Sequence, residues 1–249
     1  MSRVVSRELC DLAYEYRAIH LGADSGRRLR RVQSVNAETA IAIADIWEAA
    51  THSPNDSSVA AAYKQFAAEC VLQWNFVIAA GIHLEPWPFE KQPYDSSGQM
   101  MDDVDANRHL YFFRTSNGFG DSTNVSADTS DHACHWPSGI ISNGSDLCIN
   151  DLFRAIHDIF GHVIGEFNFG PIGEENAWLC HSSMFSDSAR RAMTSETRAQ
   201  NSWVNFGPLR RNPAGRIIRK GESGYLPLQQ RPFAQQKMTL LPDEFVFGP

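Results

Sequence analysis

The sequence predicts a mostly α-helical protein with minor short strands, folded as a single compact domain with long irregular segments. Apolar residues recur at spacings of three and four along several stretches, which is the pattern of amphipathic helices. Segments rich in proline, glycine, serine, asparagine and aspartate separate these stretches and favour turns and loops. The 249 residues suit one domain over residues 1–249, with residues 1–35 as an N-terminal appendage and residues 221–249 as a wrapping tail.

The composition indicates a globular protein with an acidic surface. Hydrophobic residues make up 43% of the chain, charged residues make up 20%, and the net charge is -7. A nucleic-acid-binding protein needs a basic stripe, so nucleic acid is not an expected partner. The arginine-rich runs at residues 27–31 and 210–220 are typical of solvated faces or oligomer contacts, and they leave the oligomeric state open.

The sequence also predicts a cytoplasmic location. It contains no run of about 18 apolar residues that could span a membrane, and its N-terminus has no apolar signal core. No membrane partner is therefore expected. The five cysteines are odd in number, widely scattered and never spaced as Cys-x-x-Cys. This usage is typical of reduced, buried thiols.

Two helices are expected in the first third of the chain. Residues 37–50 contain strong helix formers, and Asn36 precedes them as an N-cap. A break at residues 53–58 is followed by a longer helix from Val59 to about Ala80. The apolar positions of this second helix recur at spacings of three and four, which predicts that one side faces a core.

The middle of the chain is predicted to be irregular. Residues 85–104 contain three prolines and are expected to form a loop, whereas the aromatic run at residues 110–113 is expected to form a strand. Residues 116–150 are rich in small polar residues. A long irregular segment inside a compact domain is often functional, so this one is a candidate to cover a site.

Helix returns in the last third of the chain. Residues 151–161 are predicted to be helical, residues 165–173 to form a loop, and residues 174–193 to form another helix. A further helical stretch is expected to carry Glu196 and to end at residues 205–208, which read Asn-Phe-Gly-Pro.

The most informative motif is the pair His157 and His162, separated by four residues. On an ideal helix, residues five positions apart are rotated by about 140° and do not share a face. Two arrangements would bring the histidines together. Gly161 could end the helix, or a π-bulge, which is frequent at functional sites, could realign the two side chains.

Glu196 follows the histidine pair as a candidate third ligand. Two histidines and one carboxylate form the ligand set that holds Fe(II) and leaves coordination positions open for oxygen and substrate. The sequence therefore predicts an iron centre at His157, His162 and Glu196. The His-Glu-x-x-His motif of zinc proteases is absent.

The segment His157-Asp158-Ile159-Phe160-Gly161-His162-Val163 resembles the iron-binding segment of the pterin-dependent aromatic amino acid hydroxylases, His-Glu-Leu-Leu-Gly-His-Val. Thr194-Ser195-Glu196 resembles the Thr-Val-Glu context of that family's third ligand, with a shorter gap. The resemblance covers about residues 150–205. It implies a hydroxylase-like core, Fe(II) held by His157, His162 and Glu196, and an acid near the cofactor at Asp158.

These observations predict a non-haem Fe(II) oxygenase. The expected reaction is O₂-dependent hydroxylation or oxidation of a small organic substrate, either amino-acid-like or aromatic, with a tetrahydropterin or another reductant as electron donor. Asp158 is expected to orient a ligand or a bound water. Arg198 is expected to pair with a substrate carboxylate, because its guanidinium suits bidentate recognition.

Other readings remain open. Glu174, Glu175 and His181 form a reserve set of ligands, and together with the triad they could hold two iron ions in a di-iron oxidase. Glu174 and Glu175 could equally be acids that favour the start of a helix.

The His157-Asp158 pair also resembles the dyad of HD-domain phosphohydrolases, for which His132 or His135 and Asp187 could complete the set. A structural or assembly protein whose histidines only pack is the non-enzymatic alternative. No nucleophile elbow, P-loop or dinucleotide-binding glycine motif occurs.

Overall fold

The computed structural model describes residues 4–22, 31–119 and 130–248. The fold is mostly helical with few short strands, as predicted. Its α-helices and strands are, in chain order, α1 (Val4–Leu21), α2 (Ala37–Ala49), α3 (Ser57–Ala79), β1 (His83–Pro86), α4 (Ser97–Asn107), β2 (His109–Phe112), β3 (Pro137–Ser142), β4 (Ser145–Cys148), α5 (Ile149–His157), α6 (Pro171–Ser182), α7 (Asp187–Thr194), α8 (Gln200–Phe206) and α9 (Asp243–Phe247). Two π-helices interrupt longer helical stretches. Asp158–Val163 follows α5 in a stretch that ends at Gly165, and Ser195–Ala199 lies between α7 and α8.

Side-chain caps explain where α2 and α3 begin. Asn36 accepts a hydrogen bond from the amide of Thr39, as the predicted N-cap of α2. Asp56 accepts from the amides of Ser58 and Val59, so α3 begins two residues earlier than predicted. An N-cap oxygen satisfies backbone donors that have no partner inside the helix, which fixes the first turn.

Helix α1 is built into the main core of the protein. Leu9, Ala13 and Tyr16 are buried at spacings of four and three. The Ser6 hydroxyl donates a hydrogen bond to the carbonyl of Val163, at the end of the first π-helix. Helix α1 thus packs against the first π-helix.

The strands form two separate two-stranded sheets. β1 pairs with β2 in parallel, and β3 pairs with β4 in antiparallel fashion. The strand predicted at residues 110–113 is present, one residue earlier. The loop predicted for residues 85–104 is wrong in its last part, because Ser96 caps α4 there.

The segment of residues 116–150, which was predicted to be irregular, contains the hairpin of β3 and β4 and the 3₁₀ turn Ala133–His135. It also overlaps the 3₁₀ turn Thr115–Asn117 and the start of α5. Residues 120–129, which the prediction of a cover included, lie outside the described residues.

The helix predicted for residues 174–193 is interrupted, and a contact from another helix explains the interruption. Residues 183–186 separate α6 from α7. Glu69 of α3 accepts hydrogen bonds from both the amide and the hydroxyl of Ser186, and that hydroxyl accepts from the amide of Ala189. The turn is thus fixed by a distant residue of the sequence.

Helix α3 lies at the centre of the structure, packed against α5 and α7. A smaller apolar cluster joins α2 to the chain beyond residue 233, through Trp47, Ala234 and Leu241. The amide of Ser53 donates a hydrogen bond to the carbonyl of Met238, which belongs to the tail. Among the described residues, no helix is both long and apolar enough to cross a membrane.

Candidate metal centre

The first π-helix brings His157 and His162 together. In π geometry the hydrogen bonds join residues five apart, so residues with this spacing come into line. The imidazole centroids of the two histidines lie 5.3 Å apart. Of the two arrangements that the sequence allowed, the bulge is the one present, and helix continues through Gly161 to Gly165.

Gly161 makes room for this arrangement. A Cβ atom at this position would lie 3.1 Å from Cε1 of His157 and 3.1 Å from Cβ of Ala177 in α6. Both distances are shorter than ordinary carbon–carbon contacts. The glycine therefore lets the His157 ring lie against the helix and lets α6 approach it.

Helix α6 supplies the carboxylate of the site, Glu174. The helix starts with Pro171, and a Cβ at Gly173 would lie 1.8 Å from the carbonyl oxygen of Asn168, so only glycine fits the tight entry into the helix. Glu174 Oε2 lies 3.6 Å from His162 Nε2. One ligand atom from each of His157, His162 and Glu174 lies within 4.8 Å of the others.

The hydrogen bonds behind His157 determine which of its ring nitrogens carries the proton. Gln73 Nε2 donates to the carbonyl of Met184, so Gln73 Oε1 is the atom that faces His181 Nε2, at 2.8 Å. His181 Nε2 must then be the donor, and its Nδ1 an acceptor. Because His157 Nδ1 lies 3.0 Å from His181 Nδ1, His157 donates there and keeps a lone pair on Nε2.

His162 has the same polarity. Its Nδ1 lies 3.2 Å from the carbonyl oxygen of Phe167, which can only accept, so Nδ1 carries the proton. In the neutral ring the lone pair is therefore on Nε2, the atom that faces Glu174. Metal-bound histidines typically donate their other N–H to a carbonyl or another acceptor in this way.

The electrostatics of the site favour neutral imidazole rings at His157 and at His181 behind it. Burial, together with the neighbouring His181 and His162, lowers the pKa of His157 well below its usual value. Burial and His162 lower the pKa of His181 to about 3. Both rings are therefore neutral near pH 7, as the hydrogen-bond chain requires.

The acidic groups beside His162 favour positive charge. Burial alone would lower the pKa of His162, but the carboxylates of Glu174 and Asp158 outweigh it and raise that pKa. Burial, opposed by His162 and reinforced by Glu174, raises the pKa of Asp158 to about 6. Asp158 is half-buried, and its charge interacts with His162 and Glu174 of the cluster.

Glu196 lies elsewhere, and this differs from the predicted triad. Its Oε1 accepts from the hydroxyl of Tyr63 at 2.5 Å, and its Oε2 accepts from Gln200 Nε2 at 2.9 Å. It forms a separate buried group with His132 and Cys134. The carboxylate that joins the histidines is the reserve residue Glu174.

Hydrogen bonds hold most of the polar atoms of His132, Cys134 and Glu196, which favours a structural role for this group. His132 Nδ1 accepts from the amide of Cys134 at 3.1 Å, so the proton of a neutral ring is on Nε2, 3.5 Å from Glu196 Oε1. Burial and the nearby Glu196 raise the pKa of Cys134, which keeps its thiol protonated. Glu196 already accepts hydrogen bonds from Tyr63 and Gln200, whereas His132 Nε2 is buried without a hydrogen-bond partner.

Glu175 and Arg198 are also paired with each other. Arg198 donates to both carboxylate oxygens of Glu175, stacks 4.0 Å from the ring centroid of Trp178, and donates to the carbonyl of Phe245. The Arg198 side chain is 5% exposed. The expected pairing of Arg198 with a substrate carboxylate is therefore replaced by a structural ion pair.

Neither rival ligand set is brought together in the described part of the chain. A second iron would need Glu175 and His181, but Glu175 binds Arg198, and His181 is hydrogen-bonded on both nitrogens. For the phosphohydrolase set, His132 lies in the Glu196 group, and Asp187 belongs to neither possible metal group.

The sequence did not single out Gln73. It lies in α3, 108 positions before His181, and a buried glutamine on an amphipathic helix carries no local signal of such a role. The only signal in the sequence was that Gln73 is polar at a position that the helical periodicity assigns to the core.

The fold and site define a mostly helical protein with a possible mononuclear metal centre made of two histidines and one carboxylate. One ligand atom from each of the two histidines and the carboxylate lies within 4.8 Å of the others, and side chains of these types could hold a divalent metal ion. Comparison of the chain with known proteins finds no matching family model, no matching curated protein and no matching solved structure.

Proposed function

We propose that the protein is a mononuclear non-haem Fe(II) oxygenase that hydroxylates or otherwise oxidises a small organic substrate. The observation that carries this proposal is the cluster of His157, His162 and Glu174, whose ligand atoms lie within 4.8 Å of one another. A ligand set of this kind occupies one face of the ion and leaves positions for oxygen and substrate.

Bound iron would supply the activation of O₂. In a hydroxylation, one oxygen atom enters a C–H bond of the substrate and the other leaves as water. The balance requires two electrons and two protons from a reductant, for which a tetrahydropterin is one candidate. The local resemblance to the aromatic amino acid hydroxylases supports this chemistry through His157, Gly161 and His162, whereas the carboxylate of this site comes from Glu174.

The residues around the cluster have separate tasks in this proposal. His157 and His162 bind through Nε2, and Glu174 provides the negative charge that favours a divalent cation. Asp158 forms no side-chain hydrogen bond within the described ranges, and it lies beside His162 and Glu174. Its carboxyl group is thus free to orient a water molecule or a reductant at the open side.

Metal-dependent hydrolysis is the second candidate, and Asp158 is the observation that favours it. A carboxylate beside a metal-bound water can accept the proton of that water and so generate a nucleophile. Such an enzyme would use Zn²⁺ or Mn²⁺ in the same three-residue set, with release of acid or phosphate in place of O₂ consumption.

Iron binding and oxygen uptake test the proposal. Anaerobic protein is reconstituted with Fe(II), its iron content is measured, and O₂ uptake is followed with a tetrahydropterin or ascorbate. Glu174→Gln should weaken iron binding by more than the roughly 10- to 100-fold typical of outer-sphere changes. Glu196→Gln, the matched control, should bind iron like the wild type.

Equal iron binding by Glu174→Gln and the wild type would exclude this ligand set. If the wild type binds iron but consumes no O₂ with any reductant, and the Zn²⁺ form instead hydrolyses a phosphate ester or amide, the hydrolase is the correct function.

A further inference from the structure

The chain of hydrogen bonds behind His157 begins in a different helix from the site. It runs from the Met184 carbonyl to Gln73, from Gln73 to His181, and from His181 to His157. Gln73 and His181 are fully buried, so water cannot replace either partner. Each step of the chain has a fixed direction, because a carbonyl oxygen only accepts.

We infer that Gln73 is a positioning residue which, acting through His181, holds His157 in the tautomer whose Nε2 lone pair is available to a metal ion. The inference rests on the proposed metal centre for its purpose, but the tautomer itself can be observed without any metal. Nothing local to His157 supplies the same constraint, since its Nδ1 contacts only His181 among the described hydrogen bonds.

The opposite tautomer is the competing state, and the site itself favours it. With its proton on Nε2, His157 would offer an N–H to the cluster that contains the carboxylate of Glu174. In that state His181 would have to carry its proton on Nδ1. Its Nε2 and Gln73 Oε1 would then both be hydrogen-bond acceptors, with no proton between them. A buried polar pair without a proton between its members costs about 1–3 kcal/mol. The amide of Gln73 thereby disfavours the wrong state.

Substitution of Gln73 by leucine removes this constraint while keeping a similar volume. In Gln73→Leu the buried Nε2–H of His181 loses its acceptor, so the proton moves to Nδ1 and His157 takes the Nε2–H form. We expect the Co(II) affinity of the variant to fall by about 10- to 100-fold, the range found for lost outer-sphere partners of metal-bound histidines. The control is Gln236→Leu, which removes another buried amide. Gln236 is hydrogen-bonded to Gln200 and takes no part in the hydrogen bonds behind His157.

A pair of substitutions at His181 separates polarity from packing. In His181→Asn the amide oxygen takes the place of the ring Nδ1 and can accept from His157 Nδ1, although the shorter side chain no longer reaches Gln73. His181→Leu has a similar size and offers no acceptor. We expect His181→Asn to retain Co(II) binding within a few-fold of the wild type and His181→Leu to lose it to the extent of Gln73→Leu.

The experiment combines two readouts on the full chain. Histidine ¹⁵N chemical shifts of the metal-free protein report the tautomers, and Co(II) absorption titrations report the affinity. The inference is supported if wild-type His157 is protonated on Nδ1 and shifts to Nε2 in Gln73→Leu but not in Gln236→Leu. It is overturned if His157 keeps the same tautomer in Gln73→Leu. A wild-type protein that shows the expected tautomers but binds no Co(II) would overturn the metal centre and leave the assigned role of Gln73 in the tautomer intact.

Discussion

Gly161 lies between the two histidines, and its missing side chain is what lets His157 lie against the helix. A methyl group there would meet the His157 ring and Ala177 at 3.1 Å. Because Ala177 belongs to α6, the same contact also sets how closely Glu174 approaches. A single residue thus controls the distances among all three candidate ligands.

Gly161→Ala is therefore expected to weaken metal binding without unfolding the protein. The added methyl must displace the His157 ring or α6 by a few tenths of an ångström, while alanine itself favours helix by about 1 kcal/mol over glycine. We expect a lower Co(II) affinity with a nearly unchanged free energy of unfolding, measured by titration and urea denaturation. Gly165→Ala is an unsuitable control because Phe167 crowds that position. Gly98→Ala in α4 serves instead, because the added Cβ would make only an ordinary contact with Ser96 Oγ at 3.6 Å. Unchanged affinity in Gly161→Ala would contradict this account.

The two π-helices have different roles, although each contains residues that the sequence marked as ligands. The first, Asp158–Val163, aligns His162 with His157. The second, Ser195–Ala199, turns Glu196 towards Tyr63 and Arg198 towards Glu175. In the first, lone pairs converge beside an acidic group. In the second, every carboxylate already has donors.

Arg198→Met is expected to test the structural assignment of the second π-helix. Loss of the guanidinium leaves the carboxylate of Glu175 buried without its partner, which typically costs about 3–5 kcal/mol. Urea denaturation should show this loss of stability, and the double variant with Glu175→Leu should recover part of it. Iron content should stay at the wild-type level in whatever fraction is folded. A stable Arg198→Met protein that has lost substrate turnover alone would restore the substrate-binding role.

Tyr63→Phe tests the Glu196 group in the same way. Tyr63 is fully buried, and its hydroxyl donates a hydrogen bond to Glu196 Oε1. Removal of the hydroxyl deprives this buried oxygen of that donor. We expect the free energy of unfolding to fall by about 1–3 kcal/mol, with Co(II) affinity unchanged. Tyr14→Phe, on the less buried side of α1, should have little effect on either quantity. A loss of Co(II) binding in Tyr63→Phe would instead place Glu196 at the metal.

In the whole molecule, helix α3 connects the two regions. Gln73 reaches the chain behind His157, whereas Tyr63, nearly three turns earlier on the same helix, reaches Glu196. The helix also packs on α5 and α7, which lead into the two π-helices. The geometry of the candidate metal centre thus depends on how α3 packs in the core.

Metal binding is expected to stabilise the entire fold for this reason. A ligand at 100 times its dissociation constant adds about 2.7 kcal/mol to the free energy of unfolding. For a chain of this size, that corresponds to a rise of about 5–10 °C in Tm. Differential scanning fluorimetry with Co(II) or Zn(II) should show this rise in the wild type and in Glu196→Gln, but not in Glu174→Gln. The same rise in all three proteins would indicate that the metal binds elsewhere.

The tail also belongs to the fold as a whole. Lys237 Nζ donates to the carbonyls of Trp47 and Glu48 at the end of α2. Charged hydrogen bonds of this kind contribute about 1.5–3 kcal/mol, so Lys237→Met should lower the urea midpoint accordingly. Lys220→Met, at an exposed position, should not. An unchanged midpoint in Lys237→Met would contradict the proposed anchoring of the tail.

The residue pattern was sufficient to predict the helical class, α2, α3 and β2, and the need for a break or bulge between His157 and His162. These features depend on local physics: periodicity, caps and the rotation of five residues on a helix. The pattern did not indicate α4 or the break before α7, because Ser96 and Ser186 act as caps in segments that otherwise look like loop or helix.

The choice of Glu174 over Glu196 could not be made from the sequence. Both are acids near the histidines along the chain, and their spacing says nothing about which oxygens already have donors. That depends on Tyr63, Gln73 and Arg198, which approach from distant parts of the chain and decide which groups keep a free lone pair. Local sequence fixes which side chains lie on a helix, whereas packing between helices decides which of them face one another.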